Sequence, residues 1–359
     1  MKDLRGPEDE TVRVSSLKLR EMVTEIFEKL GLPEEDAEIC AEALVQADLS
    51  GIESHGVSNY LQIFYVPGLQ GGKINPRPRL QTVHETPVSA LVDGDGGMGF
   101  VVGTRAMELA IHKAKNSGAG MVTVRNSRHY GVAGYYALMA VAHDMIGLSM
   151  TSTDRLVVPT FGREARVGTN PISVAVPAAK EAPFLLDMAT STVTMGKIML
   201  ARREGAKLAD GWAADQEGRP TNDPDVAWAA KKLLPLGGVY DQGSHKGYGL
   251  GAVVDILCSI LSGAGVRTDA ELGAAMAHFF GAVRIDVFGP PEQFKSMVDG
   301  YLRMLRDTPA MEGQERVYYA GLIEHETKQK RSIEGIPLSK GVVVYLRELA
   351  DELGVKQRI

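Results

Sequence analysis

Apolar positions near the N-terminus recur at helical spacing. Leu19, Met22, Ile26 and Leu30 share one face of a segment that Ser15 or Ser16 can cap and Gly31 can end. Pro33 opens a second helix reaching about Ser50, and Glu34, Glu35 and Asp36 in its first turn complement the helix dipole. A third helix is expected over 57–69, closed by Gly68, Gly71 and Gly72, with a proline-rich linker after Asn75. From Ser89 the texture changes. Short apolar runs predict strands at 89–92, 121–124, 146–150, 172–176, 184–187 and 283–287, alternating with helical patterns at 100–116, 133–143, 192–203 and 248–261. That alternation predicts an α/β domain whose helices cover a largely buried sheet. Residues 211–243, rich in Gly, Pro, Asn and Asp, read as a functional loop or flap. Amphipathic helices at 290–307 and 338–353, the latter capped by Ser339, are expected to pack back on the N-terminal helices. The resulting division is a helical domain from both chain ends, 1–78 with 300–359, and an α/β domain over 79–299.

Composition narrows the class. With 359 residues, 44% hydrophobic and 23% charged, the chain can bury a sizeable core. A net charge of -6 argues against a nucleic-acid partner, since no basic face would release counterions. The first twenty residues lack a signal-like apolar stretch, and no apolar run reaches the roughly 18 residues that span a bilayer. A cytoplasmic protein is the expectation. Cys40 and Cys258 each sit in a helix-like apolar pattern and read as buried small hydrophobes. The eight histidines form no metal-ligand spacing, so no metal site is expected.

The candidate chemistry centres on His129. An apolar run ending at Val124 breaks into Arg125, Asn126, Ser127, Arg128 and His129, and Gly131 and Gly134 open a helix. A strand, a polar loop and a helix start bring backbone N–H groups and an imidazole to one place, where an anion could bind; the alternative is a histidine that merely caps the loop. His55, among Gly51, Ser54 and Gly56, is a second imidazole in a small-residue setting. Gly94, Gly96 and Gly99 fit the GxGxxG spacing after a strand and before a helix. A dinucleotide fingerprint also needs an acid at the end of the next strand, and this one ends in Arg125 and Asn126, so a Rossmann site is not expected. Gly168, Asn170 and Pro171 form a turn, and Asp187 ends a strand; it could bind hydroxyls or cap a helix. Lys246, flanked by Gly243 and Gly247, could meet a phosphate or carboxylate or be an exposed helix-start lysine. Thr151, Ser152, Thr153 and Asp154 could present hydroxyls and a carboxylate after a strand.

These stretches, taken in order, resemble the malate/L-lactate/ureidoglycolate/sulfolactate dehydrogenase family: Gly51 to Val57, Gly94 to Gly99, Val124 to His129, Gly168 to Pro171, Leu186 to Thr190 and Lys246 to Gly249. Thr153 and Asp154 with Val157 to Pro159, and the tail around Val317 and Lys328, look most like its ureidoglycolate branch. The resemblance implies a non-Rossmann three-layer α/β/α cofactor domain with a mixed sheet, a homodimer, and NAD(P)-dependent hydride transfer at a small 2-hydroxy or 2-oxo carboxylic acid. By it, His129 and His55 match acid/base histidines. Thr153, Asp187, Met188, Ala189, His245, Lys246 and Gly321 match cofactor contacts, and Asn59 and Asp154 match substrate contacts. Departures are Asn59 where members often carry an arginine that could grip a carboxylate, Ala320 and Leu322 around Gly321, and a longer loop at 237–244. NAD and NADP are not distinguished, although Arg155, Arg163 and Arg166 are possible partners of a 2′-phosphate. Rival readings are a cyclic imino acid reductase of the same family and a cofactor-binding protein without turnover.

Overall fold

The computed structural model describes residues 11–265 and 275–359. Seven strands form one mixed sheet in the spatial order Gln81–Glu85, Ser89–Asp93, Ala119–Ser127, Met276–Arg284, Met145–Thr151, Ile172–Val176 and Phe184–Met188. Within it, Ser89–Asp93 and Ala119–Ser127 run parallel, whereas the other neighbours are antiparallel. This departs from a Rossmann sheet, which is mostly parallel. The central strand is Met276–Arg284, buried from Met276 to Ala282. It overlaps the expected 283–287 strand only at its end. A strand covered on both faces has no two-residue alternation, so its AHFF run gave no distinctive signal. The edge strand Gln81–Glu85 is exposed throughout and was not expected.

Glycine lets two helices lie directly on this sheet. Helices Gly99–Ser117 and Ala133–Val141 cover one face through Met107, Ala110 and Tyr136, against Val122, Val124, Phe280 and Ala282. A Cβ at Gly120 would stand 2.0 Å from the Ala110 carbonyl oxygen, and one at Gly147 would stand 2.0 Å from that of Ala137. The opposite face carries Ser244–Asp255 and its π-helical continuation Ile256–Ile260, where the Thr123 hydroxyl donates to the Leu257 carbonyl at 3.2 Å. Helices therefore lie on both faces of the sheet.

A helical module sits beside it. Ser16–Lys29, Glu34–Leu49, the π-helix Val57–Tyr65 and the C-terminal Lys340–Leu353 share a core of Leu19, Phe27, Leu44, Leu61 and Leu346. Both chain ends meet again in a small antiparallel pair, Thr11–Val14 with Ile336–Ser339. Ser339 ends this strand and caps the following helix, its hydroxyl accepting from Val342 N–H at 3.4 Å. Pro291–Arg306 does not return to this module. Its Leu302 joins Tyr319 and Leu322 against Ala178, Ala182 and Phe184, and Arg306 Nη1 meets Glu181 Oε2 at 2.6 Å. The stretch expected as a loop over 211–243 instead builds a small lobe. It holds the Ala213–Ala214/Pro220–Thr221 hairpin and the Pro224–Ala230 helix, and its Ala213, Ala227 and Leu233 share a core with Ile198 and Leu208. Polar and glycine residues there form turns between short elements.

Gly120→Ala and Gly147→Ala should each force a helix off the sheet. We expect each to cost about 1–3 kcal/mol, the usual range for overpacking, read as a lower denaturation midpoint. An unchanged midpoint in either variant would refute direct helix–sheet contact there.

Candidate active site

Strand register gathers the sequence-nominated residues along one sheet edge. Ser127 pairs with Met276, Thr151 with His278, and Ile172 with Met188. The segments leaving these positions are residues 128–130, 152–154 and 189–190, so His129, Thr153, Asp154, Asp187, Met188 and Ala189 converge although they are far apart in sequence. Ligands of open α/β sheets are commonly bound at strand ends of this kind.

His129 lies in an aromatic cluster that the helical module supplies. Its Nδ1 is 2.6 Å from the Tyr65 hydroxyl and receives a longer contact, 3.3 Å, from Gly131 N–H. Its ring stacks on Tyr60 at 4.4 Å and lies 5.8 Å from that of His55, while Phe64 stands 5.3 Å away. Burial, with His55 and His278 nearby, holds the His129 pKa well below the ordinary histidine value. Burial likewise lowers His55 to about 4. Both rings are therefore neutral at neutral pH, the state in which an imidazole can accept a proton. Asp154 belongs to the same neighbourhood, because its charge contributes to raising the Tyr60 pKa after burial.

The loop carrying His129 is held by close backbone contact. A Cβ at Gly99 would lie 2.2 Å from the Arg128 carbonyl oxygen and 2.3 Å from that of His129. Gly94 packs similarly against the Asn126 carbonyl and Val102, and Gly97 against Pro78. These glycines thus pack the chain against itself. Arg125 and Asn126, which end the following strand, both bind Asp93 at 3.0 Å. On the other side, the buried His278 stacks on Tyr130 at 4.5 Å, and its Nδ1 meets the Thr151 hydroxyl at 2.8 Å. It links the two segments that carry His129 and Thr153.

His55 is positioned from the opposite end of the chain. Asp48 is fully buried and accepts from Val57 N–H at 2.7 Å and the Ser58 hydroxyl at 3.0 Å, so it caps the π-helix. Arg331 donates to the Asp48 carbonyl at 2.5 Å and to Glu53 at 2.6 Å, tying the His55 turn to helix Leu322–Glu334. Ser54 Oγ meets His55 Nδ1 at 2.8 Å, and Asn59 Nδ2 donates to the Ser54 carbonyl at 3.0 Å. The Asn59 amide nitrogen therefore closes the His55 turn.

The residues matched to cofactor contacts fall into two settings. The Thr153 hydroxyl accepts from Thr169 N–H at 2.8 Å and holds the Gly168 turn. Asp187 accepts from Gly134 N–H at 2.6 Å, near the start of helix Ala133–Val141, and burial raises its pKa to about 7. Gly321, with φ +92°, lies against Leu185, where a Cβ would come within 2.6 Å. In contrast, His245 and Lys246 are exposed at the first turn of Ser244–Asp255, at the positive end of the helix dipole. Arg163 pairs with Glu217 and Arg166 with Glu164 on the surface. Tyr60, Phe64, Tyr65, His278 and Arg331 were not foreseen. Only the aromatic spacing of the first three offered a signal, and it was read simply as a helix.

The malate/L-lactate dehydrogenase family model matches residues 14–347. A malate dehydrogenase of Pyrococcus horikoshii is 44% identical over 358 residues, covering 98% of this chain and 99% of that protein; its solved structure superposes with a TM-score of 0.88 at 43% identity, over 98% of this chain and 99% of that one. The L-sulfolactate dehydrogenase of Methanocaldococcus jannaschii is 40% identical over 94% of this chain and 96% of its own length, with a structural TM-score of 0.86 at 39% identity over 96% and 98%. A ureidoglycolate dehydrogenase (NAD(+)) of Escherichia coli is 30% identical over 93% of this chain and 95% of its own length. The chain belongs to the malate/L-lactate dehydrogenase family. Its ureidoglycolate-like segments sit in a chain whose overall identity to the malate and sulfolactate relatives is higher.

The raised Asp187 pKa has a consequence for stability. The folded protein retains a proton up to about pH 7 that the unfolded chain releases near 3.8, so this group's stabilisation fades as pH rises between those values. Asp187→Asn keeps an acceptor for Gly134 but has no such titration. Its melting temperature relative to wild type should therefore increase from pH 4.5 to pH 7.5 in calorimetry. A difference independent of pH would sink this assignment.

Proposed function

We propose that this member of the malate/L-lactate dehydrogenase family catalyses reversible NAD(P)-linked hydride transfer at the 2-position of a small 2-hydroxy or 2-oxo carboxylic acid. The observation that carries the reading is a neutral, part-buried His129 held at Nδ1 by Tyr65, among the strand ends. In the oxidative direction Nε2 takes the hydroxyl proton as the carbon–hydrogen bond is lost. In the reductive direction the imidazolium returns that proton to the carbonyl oxygen. His55 lines the same aromatic cluster and serves as the second proton-handling group. Asp154 and the Asn59 turn border the position where the carboxylate substrate would lie.

The residues present fit a dinucleotide. Lys246 and His245, exposed at the N-terminal end of helix Ser244–Asp255, offer a cation and a ring N–H suited to phosphate. Thr153, Met188 and Ala189 lie at strand ends on the same end of the sheet as His129, and Asp187 has a second carboxylate oxygen beyond its bond to Gly134. When bound, NAD(P)H would supply the hydride for reduction, and NAD(P)⁺ would accept it in oxidation. The relatives named for malate and sulfolactate, with their higher identities, favour an acid bearing a second anionic group.

A second copy of the chain is part of this proposal. Leu250, Val253, Ile256 and Ile260 are exposed along one side of the Ser244–Asp255 helix and its continuation. Such a stripe is suited to burial in a symmetric dimer. Light scattering should give twice the chain mass, and Val253→Glu with Ile256→Glu should yield monomer; a wild-type monomer would remove the dimer from the proposal.

The test of activity is loss of NADH and NADPH absorbance with oxaloacetate, pyruvate, 3-sulfopyruvate and a cyclic imino acid. We expect turnover on an oxo acid, and a fall of about 10²–10⁴-fold in His129→Ala, the usual worth of a general acid–base group. Cofactor binding with no turnover on any substrate would leave a binding protein instead, and turnover on the imine alone would move the assignment to imine reduction.

A further inference from the structure

Segment Val57–Tyr65 winds as a π-helix, and Val66 N–H continues the pattern by donating to the Leu61 carbonyl five residues back. This winding decides which side chains share a face. In an α-helix each residue turns about 100°, so residue i+5 lies about 140° from residue i. In a π-helix, bonded i to i+5, both i+4 and i+5 return above residue i. Tyr60, Phe64 and Tyr65 have this spacing, and all three contact the His129 ring, at centroid distances of 4.4, 5.3 and 5.9 Å. An α-helical segment presenting Tyr60 to His129 would turn Tyr65 away.

We infer that Tyr65 is a positioning residue that sets the proton-bearing nitrogen of His129, and that the π winding exists to deliver it. The inference rests on the role proposed above for His129. The Tyr65 side chain is fully buried, and its hydroxyl has His129 Nδ1 as its one hydrogen-bond partner among the described residues. A buried hydroxyl without a partner is costly, so the pair is mutually fixed.

The chemistry of the two Nδ1 contacts differs. Gly131 N–H can only donate, which suits Nδ1 without a proton and leaves the proton on Nε2. The Tyr65 hydroxyl can donate or accept, so it also supports Nδ1–H, freeing the Nε2 lone pair to take a substrate proton. It accepts from Nδ1–H again once the ring is imidazolium. Without the hydroxyl, the surviving contact favours the tautomer that cannot act as base, and the cation loses its acceptor.

Tyr65→Phe, with its fold checked by near-ultraviolet circular dichroism, tests this. We expect kcat/KM for hydroxy acid oxidation to fall about 10- to 100-fold, the worth of a hydrogen bond to a charged group, while the KM for cofactor is unchanged. The acid limb of the pH profile should move to lower pH, because the imidazolium is the form that loses its partner. A purely packing role for Tyr65 would leave that limb in place. If the variant does not fold, ¹⁵N NMR of the wild-type imidazole, assigned with His129→Gln, decides the matter: the Nδ1-protonated tautomer must be populated at neutral pH, and a ring held wholly as Nε2–H would overturn the inference. A wild-type rate and pH profile in Tyr65→Phe, with His129→Ala inactive, would refute this inference alone. An active His129→Ala would instead remove the proposed catalytic role beneath it.

Discussion

Close backbone approach is the constraint on which the site depends. The loop bearing His129 must reach the start of helix Gly99–Ser117, and that contact exists because position 99 has no side chain. The same device sets the helices on the sheet at Gly120 and Gly147. A chain of larger residues could keep the order of elements but not these distances. The imidazole would then lose contact with the aromatic face of the helical module, and with it the desolvation that holds it neutral.

The helical module supplies the side chains packed against His129. It is assembled from both chain ends, and Arg331 connects them, with one guanidinium bonded to the Asp48 carbonyl and to Glu53. Asp48 in turn caps the π-helix that brings Tyr60 and Tyr65 to His129. Removing one partner of a buried charged group leaves the others unsatisfied, so these contacts act as a unit. The site therefore depends on a long-range closure between residues nearly 280 positions apart.

Much of this was legible in sequence because it follows local rules. Helix caps, the alternation of strand and helix, and the break after Val124 have signatures a few residues long. The GxGxxG spacing of Gly94, Gly96 and Gly99 was legible, and the end of the following strand argued against a dinucleotide fingerprint; that Gly94 and Gly99 serve close backbone packing was not read from it. What was not legible was set by tertiary contact. The central strand Met276–Arg284 lacks alternation because both faces are covered, and the 211–243 lobe gains its core only by packing on Ile198 and Leu208. Periodicity placed a helix near Tyr60 and Tyr65. It could not show that the helix winds five residues per hydrogen bond, nor that its aromatic face meets His129.

The electrostatics of the cluster follow from its packing. His55, His129 and His278 all have pKa values lowered first by burial, which favours the neutral ring near neutral pH. A neutral ring is ready to accept a proton but not to give one. An anionic substrate entering beside it changes that balance, because an opposite charge within a few ångströms favours the imidazolium. The carboxylate of a 2-oxo acid would thus raise the pKa of the group proposed to protonate its carbonyl oxygen. Loss of that charge on release would return the ring to its neutral state. In this arrangement the substrate's own charge prepares the acid, which reduces the need for a fixed cation beside His129 and is consistent with Asn59 bonding to its own turn.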